Sequence, residues 1–328
     1  MRAELQPSQQ VERIIALRRF AGFVNLRPSE IAAIAAFAEE QLFPKGTAMS
    51  KPGRPVQSIF FIVEGHVDYL EDGVAVRRWG PHDVIGGMAA MTQDPAGQHF
   101  VAADDVIAFE VSYDDMLDLF EDHFSILVAV LGGLSRAMLE SRRELGLDGG
   151  YEPAQTPEVP PHSLPRLSLV EKILFLRNMQ DMGRHEVEVM AELARGASEW
   201  RYDAGTALWR VGDSSDYYLF IVAGCVAGEV PEEPGSAPGQ ARPAQRIRLG
   251  ANSPIGIMDA IAGVPRWYTA VAETDVVVLR VEVGDLIDIL EDHTELAVNM
   301  LRRLAATVLE LRRRIGQKTR ESLRAPAA

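Results

Sequence analysis

The stretch Pro254–Arg266, which reads PIGIMDAIAGVPR, decides the fold of this chain. Gly256 opens a short apolar segment, Gly263 closes it, and Arg266 follows Pro265. Because proline fixes its own φ, the arginine leaves the chain at a rigid corner. A short helix after Gly256 would direct free backbone amides into the same space, and amides together with a guanidinium suit a phosphate. The stretch alone fits either a phosphate-binding corner or an ordinary turn with a solvated arginine.

The surroundings of this corner occur twice in the chain. Val11–Phe20 (VERIIALRRF) and Val170–Met179 (VEKILFLRNM) match at an offset of 159 residues (170 − 11). Further on the offset becomes 170, which pairs Gly86 with Gly256. The 11 additional residues fall within Glu229–Arg246, a Pro/Gly-rich segment that is a natural place for an insertion. Because the matches keep their order, the sequence predicts two copies of one domain.

Each copy carries the same plan of elements. Short runs of β-branched and aromatic residues between Gly-containing turns predict strands, and many such strands indicate a sandwich or barrel. Helices precede and follow them, so we predict an α+β fold of two tandem β-barrel domains, each flanked by helices. The predicted elements are helices Ser8–Phe20, Pro28–Gln41, Asp114–Leu145 and Val283–Arg314, and strands Ser58–Val63, Val67–Leu70, Val74–Trp79, Phe100–Ala103, Val106–Val111 and Tyr217–Val222.

The sequence also suggests where the domains begin and end. We predict domain 1 at 8–145 and domain 2 at 169–316. Residues 146–168 contain many prolines and few apolar residues, which predicts a semi-rigid, exposed linker. Residues 317–328 form a locally basic tail, which fits either a docking segment or a solvated helix end.

Composition limits the classes of protein that this chain fits. It has 328 residues, of which 47% are hydrophobic and 24% are charged, as in an ordinary globular protein. The net charge of −14 argues against broad binding to nucleic acid or to an anionic membrane. The lone cysteine, Cys225, excludes an intramolecular disulfide and fits a reducing compartment. The first 20 residues carry no secretory core, and no apolar run approaches about 20 residues, so we expect a cytoplasmic protein with no membrane partner.

Three motifs together resemble the cyclic nucleotide-binding domain family. Gly65-His66-Val67 and Gly224-Cys225-Val226 each follow an aromatic strand, and Pro254–Arg266 resembles the family's phosphate-binding cassette, approximately F-G-E-x-A-L followed by P-R-[TS]-A. In many members the arginine lies ten positions after the first glycine, as Arg266 does after Gly256. The resemblance covers most of the chain. It implies jelly-roll barrels (double-stranded β-helices) and a regulatory role.

The resemblance also assigns candidate ligand residues in copy two. In this family the glutamate after the first glycine binds the ribose 2′-hydroxyl, and the arginine pairs with the cyclic phosphate. Here Ile257 replaces that glutamate, Trp267 stands where threonine or serine is usual, and Asp259 stands where a small residue is usual. The implied ligand is cAMP or cGMP, and no metal is predicted. The candidate site comprises Gly256, Ile257, Met258, Asp259, Arg266 and Trp267.

Copy one lacks both polar anchors of the cassette. Gly86 is followed by Gly87, and the position ten residues after Gly86 is Ala96. Burying a phosphodiester without a counter-charge costs several kcal/mol. We therefore predict that the pocket of copy one is degenerate and binds no cyclic nucleotide.

The C-terminal helix raises the question of a partner. Met300, Leu304, Val308, Leu311 and Ile315 form an apolar stripe at helical spacing, which fits either a homodimer seam over Met300–Ile315 or packing onto the protein's own barrel. Only 14 residues follow Arg314, too few for a helix-turn-helix, so we expect no DNA binding. The partner that a regulator needs is predicted to be a protein of unknown identity.

No catalytic motif occurs in the sequence. It contains no Walker loop, no HExxH, no GxSxG and no kinase signature, so we predict that the protein is not an enzyme. Two interpretations stay open. In the first, the protein is a regulator whose second domain senses a cyclic nucleotide or another phosphorylated ligand. In the second, it is a ligand-independent scaffold or assembly protein that reuses the fold.

Overall fold

The computed structural model describes residues 7–24, 26–51, 53–71, 73–93, 99–145, 165–179, 187–232 and 244–324. The chain divides into two units. Unit 1 comprises Met1–Gly133 with Ala297–Leu309, and unit 2 comprises Leu134–Leu296 with Glu310–Ala328. Most of the predicted linker (146–168) and the last four residues of the predicted basic tail lie outside the described residues, and the predicted domain boundaries stay a prediction.

Unit 1 contains two antiparallel sheets with helices before and after them. One sheet has the strand order β1-β7-β2-β5 and the other β4-β3-β6. A 3-10 turn, Ala21–Phe23, follows the first helix. The elements in chain order are α1 (Pro7–Leu17), α2 (Pro28–Phe37), β1 (Glu39–Phe43), β2 (Ser58–Glu64), β3 (Val67–Glu71), β4 (Val74–Trp79), β5 (Val84–Ile85), α3 (Gly87–Thr92), β6 (His99–Ala102), β7 (Val106–Ser112), α4 (Tyr113–Asp122) and α5 (Phe124–Leu145), which continues into unit 2 from Leu134.

Among the described residues, unit 2 repeats this plan with one further strand. Its sheets have the orders β13-β10-β15-β8 and β12-β11-β14-β9. The elements are α6 (Leu169–Asn178), α7 (Val187–Gly196), β8 (Ser198–Tyr202), β9 (Ala207–Trp209), β10 (Tyr217–Ala223), β11 (Cys225–Val230), β12 (Gln245–Gly250), β13 (Pro254–Ile255), α8 (Ile257–Ala262), β14 (Thr269–Ala272), β15 (Val276–Glu282), α9 (Val283–Asp292) and α10 (Thr294–Arg324), whose Ala297–Leu309 belongs to unit 1.

The two sheets of unit 2 share one apolar interior. Successive side chains of a strand point to opposite faces, so alternate residues such as Leu219 and Ile221 of β10 enter the same cluster. Val226 of β11 and Val278 of β15 join them. The predicted α+β class and the tandem jelly-roll arrangement are confirmed, although the strands form separate sheets rather than one closed barrel.

The single long helix predicted at the end of each copy is in fact two helices. His123 ends α4 with φ −137° and ψ 73°, and His293 ends α9 with φ −127° and ψ 66°. These angles lie outside the helical region, so the chain changes direction before α5 and α10 begin. The prediction of unbroken helices over Asp114–Leu145 and Val283–Arg314 was therefore wrong at the repeated Glu-Asp-His sequence.

The apolar stripe of α10 is largely buried within the protein. Leu304, Val308 and Leu311 are at most 5% exposed. Within unit 1, Arg302 of the same helix donates hydrogen bonds from Nε and Nη2 to the hydroxyl of Tyr113, at 3.1 and 2.9 Å. Three of the five stripe residues are therefore buried within the chain, and the homodimer stays a prediction.

Among the described residues, α5 is long and apolar enough to cross a membrane by length and composition alone. Leu127 and Leu131 of this helix are fully buried in the protein. Burial of this kind is typical of a core helix in a globular domain.

Candidate functional site

The predicted corner of unit 2 has the expected backbone. Gly256 takes a left-handed conformation, with φ 76°, directly before α8, and Gly263 ends that helix with φ 60°. The hydroxyl of Ser215 holds the far side of the corner, because it donates to the carbonyl oxygens of Val264 at 2.6 Å and Asp259 at 3.1 Å. The short helix after Gly256 is confirmed.

Arg266 points into the protein rather than into solvent. Its side chain is 0% exposed. The Nη1 group donates to the carbonyl oxygen of Gly256 at 2.8 Å, and the Nη2 group donates to that of Tyr217. The same Nη1 atom lies 3.6 Å from Oδ2 of Asp259, which makes a buried ion pair. In this conformation both terminal nitrogens of the guanidinium donate hydrogen bonds to the protein's own backbone.

Two aromatic rings lie close to that guanidinium. Its central carbon lies 4.3 Å from the ring centroid of Trp209 and 4.9 Å from that of Tyr217. Trp209 is fixed in turn, because its indole N–H donates to the carbonyl oxygen of Tyr268 at 3.0 Å. Such cation–π contacts stabilise by about 2 kcal/mol when water is excluded. We call Trp209 and Tyr217 the aromatic cover.

Sequence reasoning missed the aromatic cover, although the two copies differ at its positions. At the offset of 159 residues, Ser50 corresponds to Trp209 and Ser58 corresponds to Tyr217. Ser58 and Tyr217 are indeed the first residues of the equivalent strands β2 and β10. Only the copy that keeps Arg266 carries the two aromatic residues.

Asp259 is the acidic partner of the corner. It is 2% exposed, and this burial raises the pKa of its carboxyl to about 6, while the charges of Arg266, Arg143 and Arg142 oppose the rise. Neither its Oδ2 atom nor Nε of Arg266 has a hydrogen-bond partner among the described residues. The attraction between Asp259 and Arg266 therefore has to offset the desolvation of both charges.

The remaining predicted site residues contribute apolar surface. Trp267 is 8% exposed and belongs to the interior cluster, and Met258 packs against that cluster. Ile257 is half-buried and offers no acceptor for a sugar hydroxyl. The structure thus brings Gly256, Asp259 and Arg266 together, while Ile257, Met258 and Trp267 add only apolar side chains. Within the described ranges no group of three or more His, Cys, Asp or Glu side chains could hold a metal ion.

The corresponding corner of unit 1 is described only in part. Gly86 repeats the left-handed conformation of Gly256, with φ 82°, and α3 follows it. Ala96 lies outside the described residues. The interior of unit 1 is filled by apolar and aromatic side chains, among them Phe60 and Phe100, with Trp79 packed against them.

Comparison with known proteins now identifies the fold family. The family model described as "Cyclic nucleotide-binding domain" matches residues 40–123 and 199–293, which together exceed half of the chain. The chain belongs to the cyclic nucleotide-binding domain family. The resemblance on which the sequence analysis relied is confirmed, and it covers both copies. No curated protein matches.

Several solved structures of this family are similar to the chain. A regulatory subunit of a cAMP-independent protein kinase A from Trypanosoma brucei shares 16% identity, with 89% of this chain and 94% of that chain covered and a TM-score of 0.34. The regulatory domain of Toxoplasma gondii PKA, crystallised with cAMP, shares 15%, covering 89% and 98%, with a TM-score of 0.33. A cyclic nucleotide-binding-like protein from Brucella abortus shares 27%, covering 37% and 98%, with a TM-score of 0.30.

Proposed function

We propose that this protein is a non-enzymatic regulatory protein in which unit 2 closes its cassette with its own residues instead of a nucleotide. One observation carries the proposal. The side chain of Arg266 is fully buried and donates to the carbonyl oxygens of Gly256 and Tyr217. The arginine that binds the phosphate in this family is thus already hydrogen-bonded to the protein itself. This favours the ligand-independent interpretation.

The energetics of ligand entry support this proposal. A cyclic phosphate that reached Arg266 would have to replace two charge-assisted hydrogen bonds, each contributing about 1.5–3 kcal/mol. It would also bring a second negative charge beside the buried carboxylate of Asp259. Ile257 offers no hydrogen bond to the sugar in return. A nucleotide therefore gains little by entering the closed cassette.

A nucleotide-responsive sensor is the second candidate, and a different observation favours it. Nε of Arg266 and Oδ2 of Asp259 are buried without hydrogen-bond partners among the described residues. Buried polar atoms that lack partners cost free energy, so the closed pair is not fully stabilised. A phosphate oxygen could supply a partner to Arg266 if the cassette opened. The ligand would then be cAMP or cGMP.

Thermal unfolding of the full chain with cAMP, cGMP and cyclic dinucleotides tests the two candidates. Ligand at about 100 times its Kd stabilises the native state by about 2.7 kcal/mol, which raises Tm by several degrees. We expect no rise in Tm. A rise in the wild type that Arg266→Ala abolishes would establish the sensor and contradict the ligand-independent proposal. An equal rise in both proteins would place a ligand away from Arg266 and contradict both candidates.

The partner and the location of the protein belong to the same proposal. A regulator without catalytic groups must act through another molecule, and we propose a protein partner in the cytoplasm. Affinity purification from the native host, followed by reconstitution with the purified partner, would test this. Failure to reconstitute any complex from purified components would contradict it.

A further inference from the structure

We propose that the second half of α5, Leu134–Leu145, is a clamp that holds α8 in place and so keeps Arg266 buried. We call this segment the α5 clamp; it belongs to unit 2. The inference rests on the proposed function in one respect, namely that the closed cassette is the working state of unit 2. It adds the device that keeps the cassette closed.

Helix α8 needs support from outside itself. It has six residues, Ile257–Ala262, and helices shorter than about 12 residues have no independent stability in water. Its position therefore depends on what packs against it. Gly256 directly precedes α8, and Asp259 lies in its first turn. Both residues contact Arg266, so its partners move whenever α8 moves.

The first contact of the clamp is polar. Nη2 of Arg136 donates a hydrogen bond to the carbonyl oxygen of Ala262, the last residue of α8, at 3.2 Å. The last carbonyls of a helix have no partner within the helix, and a cation at this end also interacts favourably with the helix dipole. Arg136 thus caps α8 from the clamp.

The second contact is apolar. Leu139 is 6% exposed and belongs to the buried cluster of unit 2, which also contains Ala262, Trp209 and Trp267. The clamp therefore contributes to the same interior as α8 and the tryptophan that covers Arg266. Removing a buried leucine side chain leaves a cavity that the surrounding residues fill only in part.

The third contact is electrostatic and reaches the cassette pair itself. Arg143 and Arg142 of the clamp, together with Arg266, favour the charged form of Asp259 against the effect of its burial. The clamp thus supplies positive charge to the carboxylate that pairs with Arg266. If the α5 clamp moved away, the Asp259–Arg266 pair would be weakened, and the carbonyl group at the end of α8 would lose its hydrogen bond from Arg136 at the same time.

The three contacts define what the clamp does. While Leu134–Leu145 is seated, α8 and Arg266 stay in the closed arrangement. When it leaves, α8 loses its cap and part of its apolar support, and the guanidinium of Arg266 becomes available to an anion. Helix α5 is continuous from Phe124, so the clamp is covalently joined to a helix that begins in unit 1.

Hydrogen–deuterium exchange of the full chain tests the clamp. We compare the wild type with Leu139→Ala, with Arg136→Gln and with Glu140→Gln, a substitution of an exposed residue on the same half helix. We expect the amides of Ile257–Ala262 to exchange about tenfold faster in the first two variants. In Arg136→Gln, exchange in β10 and β15 should stay as in the wild type, whereas Leu139→Ala should accelerate α8 more than these strands, which share its cluster. The Glu140→Gln protein should match the wild type throughout.

Two results would contradict the proposed role of the α5 clamp. One is unchanged exchange of α8 in Arg136→Gln together with a uniform rise over all of unit 2 in Leu139→Ala, since that pattern reports general destabilisation. The other is an equal effect of Glu140→Gln. Because Arg136 is not a core residue, its variant keeps the test informative if Leu139→Ala fails to fold. Nucleotide binding by the wild type would contradict the proposed function without changing the exchange result.

Discussion

The guanidinium carbon of Arg266 lies 4.3 Å from the centroid of the Trp209 indole ring. The residue that the family uses for a phosphate is thus in cation–π contact with a core tryptophan of the same chain. The arrangement also needs Gly256, because a Cβ atom there would lie 2.3 Å from Nη1 of Arg266 and 3.2 Å from the ring of Trp209. The corner, the arginine and the aromatic cover are therefore one packed assembly.

Replacing Arg266 tests whether that assembly is structural. We expect Arg266→Met to lower the free energy of unfolding by about 3–5 kcal/mol, because it leaves Asp259 buried without its partner. The double variant Arg266→Met, Asp259→Asn should recover part of the loss, since neither charge then remains. Guanidinium-induced unfolding, followed by tryptophan fluorescence, measures both effects. Strictly additive losses would show that the two side chains do not interact.

Two glycines of the corner offer a matched pair. Gly256 and Gly263 both have positive φ, but a Cβ atom at Gly263 would meet nothing within 4 Å. We expect Gly263→Ala to cost about 1 kcal/mol for the left-handed backbone, and Gly256→Ala to cost about 2–5 kcal/mol, because crowding against Arg266 adds to that strain. The same unfolding measurement compares them. Equal costs would mean that Arg266 moves aside freely.

Much of this fold could be predicted from the sequence because its signals are local or repeated. The ten-residue spacing from Gly256 to Arg266 and the turn residues placed α8 correctly, and the two matching copies established the tandem organisation. The break at His293 was missed, since apolar spacing continues across it and only the backbone angles reveal it.

The direction of the Arg266 side chain could not be predicted. Its cover comes from Trp209, which is 57 residues earlier in the chain, and its acidic partner, Asp259, was identified only as an unusual residue of the cassette. Whether an arginine faces solvent or the interior depends on which rings and carbonyl groups the fold brings to it. That information lies in long-range packing, and the only sequence trace is the exchange of Ser50 and Ser58 for aromatic residues in copy two.

The buried carboxyl of Asp259 predicts a specific pH dependence. Its pKa is raised from 3.8 to about 6 by burial, with Arg266, Arg143 and Arg142 facing it. A raised pKa in the folded state stabilises the fold below the unfolded pKa, and this contribution is lost as pH rises through about 6. Wild type should therefore lose about 1–2 kcal/mol relative to Asp259→Asn between about pH 5 and pH 7.5.

Denaturant unfolding of the wild type and Asp259→Asn at several pH values checks this sign. The comparison removes the pH effects of all other groups, because the two proteins share them. A constant difference across the range would mean that Asp259 ionises as it does in the unfolded chain. If the arginines outweighed burial, the pKa of Asp259 would be lowered, and the advantage of the wild type would increase with pH only below about pH 4.

The stripe of α10 gives the last prediction, which concerns the oligomeric state. Leu304 is 5% exposed inside the protein, so Leu304→Ala should lower the free energy of unfolding by about 2–5 kcal/mol, with a Tm that does not depend on protein concentration. Glu310→Gln, on the exposed side of the same helix, should have no comparable effect. A dimer seam would behave differently, because Tm would rise with concentration and Leu304→Ala would shift the mass measured by light scattering from dimer to monomer.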